Sequence, residues 1–411
     1  MTATEREGTT ARRAPVDRWW APGLLALVLA AAFVGALLVR AGGDASLLVH
    51  AGPPWTDAQR ARPSLTVQGP DDAFDGQFFY RLGVSPWSTE DEVAGVTNDL
   101  PSLRNARWGY GALAWVASGG NPDRVPEALV AVNLAAAFIL GAAGGSLARS
   151  SGRHRLWGAS LVLWPGFAYS LSLDTSELAA AALVLSGLAA ARSRRPIAAG
   201  ALLTAAVLTR DTTAVVPLGF LLAGAWTWVA ARRRATAVPA DRSPSTADPL
   251  RWACIGGVPL VAFAAWQLVQ RARFGTLPLR SSGDNNLSAP LRGLVDLVRT
   301  TALPTTGAEV LRLASAALVI GLIAAAAWWW RRSAAPLPER AALVPAVAVV
   351  ILLNPYLWSG ATAFMRAATE AGVLSILVVL GTRTRRAPAV LVAALGSVWL
   401  LTALAQISKL G

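Results

Sequence analysis

The stretch DAFDGQFFYRL at residues 72–82 combines acidic side chains, a glycine and three consecutive aromatic residues. Asp75 follows Phe74 and precedes Gly76, which allows a close approach of backbone, so its carboxylate can be partly withdrawn from water. Such a carboxylate is suited to act as a general base. The Asp-Gly pair equally fits an Asx turn that starts an interfacial helix, with the aromatic residues at the membrane surface, and local sequence slightly favours this alternative.

A second acidic pair lies in SLSLDTSEL, residues 170–178. Asp174 can cap a helix, and Glu177 three residues later completes a pattern like a capping box, so structural capping is the default interpretation. The preceding WPGFAYS interrupts the helix near its outer end. The capped end could therefore point its dipole and hydroxyl groups into a cavity.

Charged residues also interrupt the apolar run between Pro196 and Ala230, where Arg210 and Asp211 occur in AVLTRDTTAVV. An arginine at a tight outer turn can pair with its neighbouring aspartate and extend to the interface. Charge at membrane depth is costly, however, and the guanidinium fork suits a phosphate or pyrophosphate. Both interpretations stay open.

The segment RARFGTLPLRSSGDNNLSAPLRGL, residues 271–294, is rich in groups that can bind a sugar or a lipid phosphate. Its candidates are Arg280, Ser281, Ser282, Asp284, Asn285 and Asn286, although an ordinary solvated loop has the same composition and is the favoured interpretation. Arg366 and Glu370 stand four residues apart on one helix face, where they can form a salt bridge or part of a lipid-phosphate site.

The composition indicates which solvent surrounds these residues. Of 411 residues, 54% are hydrophobic and 15% are charged, and the mean hydropathy is +0.46. These values are typical of a polytopic membrane protein, and the apolar runs have the length of spanning helices rather than of barrel strands. We therefore predict an all-α bundle.

The net charge of +13 comes from short arginine clusters between apolar runs, not from one continuous basic face, which argues against a nucleic-acid partner. Such clusters mark cytoplasmic helix ends. They are Arg12, Arg13 and Arg18; Arg149, Arg153 and Arg155; Arg192, Arg194 and Arg195; Arg232, Arg233 and Arg234; Arg331 and Arg332; and Arg383, Arg385 and Arg386.

With these clusters on one side, the chain is predicted to cross the plasma membrane about eleven times, with its N-terminus inside and its C-terminus outside. Most of the remaining acidic residues then lie at the outer side. The expected spans are at about residues 19–39, 127–148, 156–173, 178–191, 196–209, 212–230, 251–270, 309–330, 341–358, 362–380 and 388–405.

Three regions follow from this topology: an N-terminal half with the candidate site (1–230), a cytoplasmic linker (231–250) and a C-terminal half (251–411). A long outer loop extends from Ala41 to about Pro126 and carries RNARWGYGALAWVASGG, which is too short to span securely and is predicted to be interfacial or re-entrant.

The metal-binding residue types are sparse. His50 and His154 are far apart, and the single cysteine, Cys254, lies in an apolar segment. We find no metal motif, no P-loop and no Rossmann glycine pattern, and expect no cofactor. A divalent metal stays an open alternative without a motif to support it.

FDGQFFYRLG, at residues 74–83, resembles a motif that follows the first span in membrane glycosyltransferases of the GT-C superfamily. It is most similar to bacterial relatives of the enzyme that adds the second mannose of GPI anchors. The resemblance continues in order through RNARWGYGALAWVASGG, then the Pro-containing span with its Ser-Glu helix start, then the short span ending in Thr-Arg. It covers roughly the first 230 residues.

This resemblance implies an inverting sugar transfer at the outer face from a polyprenyl-phosphate donor to a cell-envelope glycan, lipid or protein. In that scheme Asp75 is the general base, and Arg104, Arg107, Arg210 or Arg280 holds the donor phosphate. Sugar and acceptor contacts are expected from Gln77, Tyr80, Asp174, Glu177, Asp211, Asp284 and Asn285.

Two other classes fit the composition. A transporter or lipid flippase would carry polar groups at mid-membrane depth in several helices, whereas the charges here gather towards the outer ends of the spans. A non-catalytic scaffold would tolerate Asp75→Asn. If the chain is an enzyme, Asp75, Arg107, Arg210 and the loop at 280–286 should converge in one outward cavity.

Overall fold

The computed structural model describes residues 18–235, 251–301, 303–384 and 386–410. Arg12, Arg13, Arg385 and most of the predicted 231–250 linker lie outside these residues. The described part is almost entirely helical, and its β-structure consists of a two-stranded antiparallel ribbon, β1 (Glu92–Val93) and β2 (Val96–Thr97), with a few isolated bridges.

The helices follow the apolar runs of the sequence. In chain order they are α1 (Ala21–Arg40), α2 (Gly76–Val84), α3 (Pro101–Ala106), α4 (Trp108–Ala117), α5 (Val125–Ser150), α6 (Pro165–Ser172), α7 (Glu177–Arg192), α8 (Pro196–Thr209), α9 (Val215–Ala235), α10 (Val258–Phe274), α11 (Pro278–Asn286), α12 (Arg292–Thr301), α13 (Gly307–Trp329), α14 (Leu337–Leu352), α15 (Pro355–Trp358), α16 (Ala361–Ala367), α17 (Thr369–Leu380) and α18 (Arg386–Lys409).

Within the described residues, six helical segments are long and apolar enough to cross a membrane. The α16–α17 pair, bent by 61°, would make a seventh span. The protein is therefore a multi-pass helical membrane protein. The other predicted crossings are shorter or broken helices: residues 156–173 form a 3-10 helix, Arg155–Leu163, followed by α6, because Pro165 cannot continue the preceding helix.

The long loop after α1 folds into short elements that cover one end of the bundle. It contains α2, the β-ribbon, α3 and α4, so the predicted re-entrant segment is two helices that meet at Arg107. A Cβ atom on Gly76 would overlap the carbonyl oxygen of Val49 and lie 2.5 Å from that of Leu173. Glycine at this position lets the start of α2 pack directly on backbone.

At the end of the bundle opposite to α2, α3 and α4, arginine side chains bind the ends of helices. Arg192, at the end of α7, donates from Nε to Oε1 of Glu339 at 2.6 Å and from Nη1 to the carbonyl oxygen of Leu147 at 2.9 Å. Arg153 donates to the carbonyl oxygen of Leu380 at 3.2 Å. Since α7 begins at Glu177, about 24 Å of helix separates this end from the one that α2 to α4 cover.

Candidate active site

Asp75 precedes the first residue of α2, and its carboxylate lies between two arginines. Its Oδ1 accepts a hydrogen bond from Nη1 of Arg104, and its Oδ2 accepts one from Nη2 of Arg366, both at 2.8 Å. The side chain makes no capping hydrogen bond to α2, so the Asx-turn interpretation is wrong. It stays 24% exposed, so the carboxylate is within reach of a substrate.

The aromatic residues around Asp75 support these arginines. The guanidinium carbon of Arg104 lies 4.1 Å from the centroid of the Phe78 ring, and that of Arg366 lies 4.9 Å from the centroid of Phe74. Cations are attracted to aromatic ring faces, so both guanidiniums are held in place. Phe78 is 4% exposed, and it therefore belongs to the core rather than to the predicted membrane-interface belt.

Asp99 fixes Arg104 from the other side. Its two carboxylate oxygens accept from Nε and Nη2 of Arg104, each at 2.7 Å. This bidentate geometry is the most specific arrangement of an arginine and a carboxylate. Because Nη1 of the same guanidinium then points at Asp75, Asp99 determines where Arg104 meets the candidate base.

Glu177 is the first residue of α7 and is fully buried. Its Oε1 accepts hydrogen bonds from Nε of Arg366 at 2.8 Å and from Nη1 of Arg210, and its Oε2 accepts one from Oγ of Ser170 at 3.0 Å. The predicted capping box is absent, because the cap residue is Ser176 and makes no side-chain cap. Glu177 instead compensates two buried arginines.

Asp174 does not cap α7 either. It is fully buried with a φ of +43°, a left-handed conformation that is uncommon for non-glycine residues. Within the described residues, neither carboxylate oxygen has a hydrogen-bond partner.

Arg210 and Asp211 stand side by side after α8, and each has its main partner on another element. Arg210 binds Glu177 and lies 3.4 Å from Oε1 of Glu370, while Asp211 lies 3.3 Å from Nε of Arg107. The predicted local Arg210–Asp211 pair is therefore replaced by tertiary pairs. The Arg210 side chain is 5% exposed, and that of Arg107 is 13% exposed.

The arginines set the protonation state of the candidate base. Burial alone raises the pKa of Asp75, but the positive charges of Arg104, Arg366 and Arg107 outweigh it and hold this pKa well below its usual range. Asp75 is therefore an ionised hydrogen-bond acceptor throughout the physiological pH range.

Several predicted site residues lie outside this network. Arg280 and Asp284 form an exposed pair on α11 with an Nε–Oδ2 distance of 3.6 Å, and Nδ2 of Asn285 donates to the carbonyl oxygen of Ser281 in the same helix. The segment that leads into α11 does contact the long loop after α1, because Oγ1 of Thr276 lies 2.8 Å from Oγ of Ser102 in α3.

Gln77 and Tyr80 on α2 face the protein interior. Oε1 of Gln77 accepts a hydrogen bond from Oγ1 of Thr56 at 2.7 Å and so braces the loop. Tyr80 is fully buried in the core.

The roles of Asp99, Arg366 and Glu370 were not predicted from the sequence. Arg366 and Glu370 stand four residues apart, but they bind different partners because α16 and α17 diverge by 61° between them. The sequence did contain a signal for a buried role, because Arg366 and Glu370 are charges that interrupt an apolar span. Only the tertiary fold shows that Arg366 reaches Asp75 and Glu177.

Within the described residues, no group of three or more His, Cys, Asp and Glu side chains is arranged to hold a metal ion. The carboxylates of the site are arranged against guanidiniums instead. Their pairs are Asp75 with Arg104 and Arg366, Asp99 with Arg104, Glu177 with Arg210 and Arg366, Asp211 with Arg107, and Glu370 with Arg210.

Comparison with known proteins gives neither a matching family model nor a matching curated protein. Among solved structures, the chain matches the Archaeoglobus fulgidus oligosaccharyltransferase in its apo form, with a TM-score of 0.42 and 15% identity over 95% of this chain and 56% of that one. The same enzyme tethered by a disulfide to an acceptor peptide containing the NVT sequon gives a TM-score of 0.35 and 14% identity over 92% and 55%. The chain thus spans little more than half the length of these structures.

Proposed function

We propose that the protein is a membrane glycosyltransferase of the GT-C type that transfers a sugar from a polyprenyl-phosphate donor to an acceptor hydroxyl at the outer face, with inversion. The observation that carries this proposal is the part-exposed Asp75 carboxylate, held between Arg104 and Arg366 in the loop after the first span. The motif resemblance around Asp75, noted from the sequence, supports it.

Asp75 has the geometry of a general base for this reaction. Each carboxylate oxygen accepts one arginine hydrogen bond, and an ionised carboxylate offers about four lone-pair sites, so room is left for an acceptor hydroxyl. The low pKa makes Asp75 a weak base. A weak base suffices because the hydroxyl becomes acidic as its oxygen bonds to the sugar carbon.

The proposed transfer is a single displacement. The acceptor oxygen forms a bond to the anomeric carbon, the bond from that carbon to the phosphate oxygen breaks, and the hydroxyl proton moves to Asp75. The leaving polyprenyl phosphate takes the electron pair and gains negative charge. Positioned guanidiniums stabilise such charge most effectively in a site that excludes water.

Arg107 is the best candidate for the donor phosphate. Its one ion pair among the described residues is to Asp211, with a separation of 3.3 Å, and its side chain is 13% exposed. Arg210 is more deeply buried, and its guanidinium already binds Glu177, Thr212 and the carbonyl oxygen of Arg366. We therefore assign Arg210 to structural support and Arg107 to the phosphate. Arg104 is already bound by Asp99 and Asp75, and we assign it to positioning the base.

The distribution of the arginine clusters supports the proposed orientation in the membrane. Arg153 and Arg192 lie at the end of the bundle opposite Asp75, and positive clusters favour the cytoplasmic side. Asp75 would then face outside, where a lipid-linked donor and a cell-envelope acceptor are both available. A transporter is less well supported, because Glu177, Arg210 and Glu370 lie at helix ends rather than within long spans.

The deciding experiment compares Asp75→Asn with the wild type in membranes supplied with radiolabelled polyprenyl-phosphate mannose, glucose or arabinose. Loss of the base should reduce transfer by about 10²-fold or more, because a positioned base contributes that much. Asp71→Asn is the matched control, since Asp71 is exposed and lies four residues away. Full activity of Asp75→Asn would remove the proposed base and favour the scaffold or transporter alternatives.

A further inference from the structure

One face of α10 lies against the α3–α4 segment. Trp266, Gln270 and Arg273 share this face, because positions i, i+4 and i+7 of a helix align. Trp266 donates from Nε1 to the carbonyl oxygen of Ala106 at 3.0 Å, and Arg273 donates from Nη2 to the carbonyl oxygen of Trp87 at 2.8 Å. Gln270 lies between them and is thereby directed towards the loop segments that carry Trp87 and Trp108.

Gln270 is fully buried, and both polar atoms of its amide lack a hydrogen-bond partner among the described residues. Nε1 of Trp108 is buried and also has no hydrogen-bond partner within the part of the chain that the structure describes. Polar groups that are buried in this state are costly, because they lose their hydrogen bonds to water and gain none in return. A polar ligand at this position would supply the missing hydrogen bonds.

Three tryptophans, Trp87, Trp108 and Trp266, lie in series next to this face of α10. The Trp87 and Trp108 rings lie 4.6 Å apart between centroids with an interplanar angle of 41°, and Trp108 lies 6.2 Å from Trp266. Trp87 is 59% exposed, which makes it the outer member of the series. Indole rings combine a broad apolar face with one N–H donor.

We propose that Gln270, Trp108 and Trp87 form a sugar-binding subsite. The C–H face of a pyranose ring would pack on the indole rings, while its hydroxyl groups would bond to the amide of Gln270 and to Nε1 of Trp108. An amide offers two donors and a carbonyl acceptor, which matches hydroxyls that both donate and accept. The inference rests on the proposed function, because it assigns to that site a second contact with its carbohydrate.

The position of the subsite connects it to Asp75. The short helix α3 carries Arg104 to Asp75, while the carbonyl oxygen of Ala106 at its end binds Trp266. The proposed saccharide would lie along α3, between Asp75 and Trp108. This saccharide is either the sugar of the donor or a glycan acceptor, and the experiment separates the two.

The experiment measures equilibrium binding to the purified full-length protein in nanodiscs. Two radiolabelled probes are used: farnesyl-phosphate mannose as a donor analogue and mannotriose as an acceptor analogue. Gln270→Leu should weaken the binding of one of them about tenfold, since a buried amide that pairs with a hydroxyl cannot be replaced by an alkyl group. The affected probe identifies the source of the sugar.

Gln59→Leu is the matched control, because Gln59 is exposed, and both probes should bind it as they bind the wild type. If Gln270→Leu does not purify as a folded protein, Trp108→Phe tests the same contact by removing only the indole N–H and part of the ring. Equal affinity of the folded variant and the wild type for both probes, or no binding of either probe to the wild type, overturns the subsite. Asp75→Asn should still bind both probes, so failure of the base and failure of the subsite are distinguishable.

Discussion

Arg366 links Asp75 and Glu177 with one guanidinium. Its Nη2 lies 2.8 Å from Oδ2 of Asp75, and its Nε lies 2.8 Å from Oε1 of Glu177. The candidate base, in the first loop, is thus positioned by an arginine from the C-terminal part of the chain. Residues from before and after the 231–250 segment therefore meet in the candidate site.

Arg366→Met should destabilise the protein and abolish transfer. Methionine fills a similar volume but leaves Asp75 with Arg104 alone and Glu177 with Arg210 alone. Removing one partner of a buried ion pair costs about 3–5 kcal/mol, because the remaining charge stays buried without compensation. The free energy of unfolding in detergent, measured by denaturant titration, should fall by an amount of this order.

Arg280→Met provides the control for that substitution. Arg280 also pairs with a carboxylate, but its side chain is 83% exposed and that of its partner Asp284 is 71% exposed. Exposed pairs contribute little to stability, so the free energy of unfolding should stay the same within error. Equal losses in the two variants would contradict the assigned role of Arg366.

The pH dependence of transfer should reflect the low pKa of Asp75. Since the folded pKa is depressed, Asp75 contributes stability that is fully present above its unfolded pKa of about 3.9 and is lost as the pH falls through the folded value. The acid limb of kcat/KM should therefore lie below pH 4 in the wild type. Arg104→Gln removes one stabilising charge and should move this limb to higher pH, whereas an unshifted limb would show that Asp75 is not the group that titrates.

Arg107→Lys tests the phosphate contact. Lysine keeps the charge near Asp211 but loses the two-pronged geometry of the guanidinium, so binding of the donor phosphate should weaken. We expect the KM for the polyprenyl-phosphate sugar to rise about tenfold, with a smaller change in the KM for the acceptor. If only the KM for the acceptor changed, Arg107 would contact the acceptor and not the donor phosphate.

The helices were predictable where a long apolar run decides the structure. The expected span 196–209 is α8 with the same bounds, and 309–330 differs from α13 by two residues at the start and one at the end. The span expected at 156–173 is broken near Trp164 and Pro165, because proline removes a backbone donor and starts a new helix there. Periodicity alone does not show such a break.

The site was predictable only in part. Asp75, Glu177, Arg210 and Asp211 were candidates from their residue types and neighbouring sequence, whereas Arg104 and Arg107 were candidates only through the motif resemblance. Their pairing was not predictable, because the favourable partner of a buried charge is set by tertiary contact and not by sequence distance. Local rules suggested Arg210 with Asp211 and Arg366 with Glu370, and the fold assigns all of them other main partners.

Gly76→Ala should disrupt the position of Asp75 without changing any charge. The added methyl group would overlap the carbonyl oxygen of Val49 and lie 2.5 Å from that of Leu173, and backbone atoms on both sides leave it no space. The start of α2 would have to move away, and the hydrogen bonds from Arg104 and Arg366 to Asp75 would lengthen. We expect a loss of stability of about 1–3 kcal/mol by overpacking and a larger proportional loss of transfer.

Gly321→Ala is the matched control, because a Cβ atom there would meet nothing within 4 Å. Alanine inside α13 should leave stability unchanged or raise it by up to about 1 kcal/mol, owing to its higher helix propensity. Thermal unfolding and sugar transfer, measured together for both variants, separate a local effect on Asp75 from a general effect of replacing glycine. If Gly76→Ala retains both stability and transfer, the direct packing of α2 on Val49 and Leu173 does not position the base.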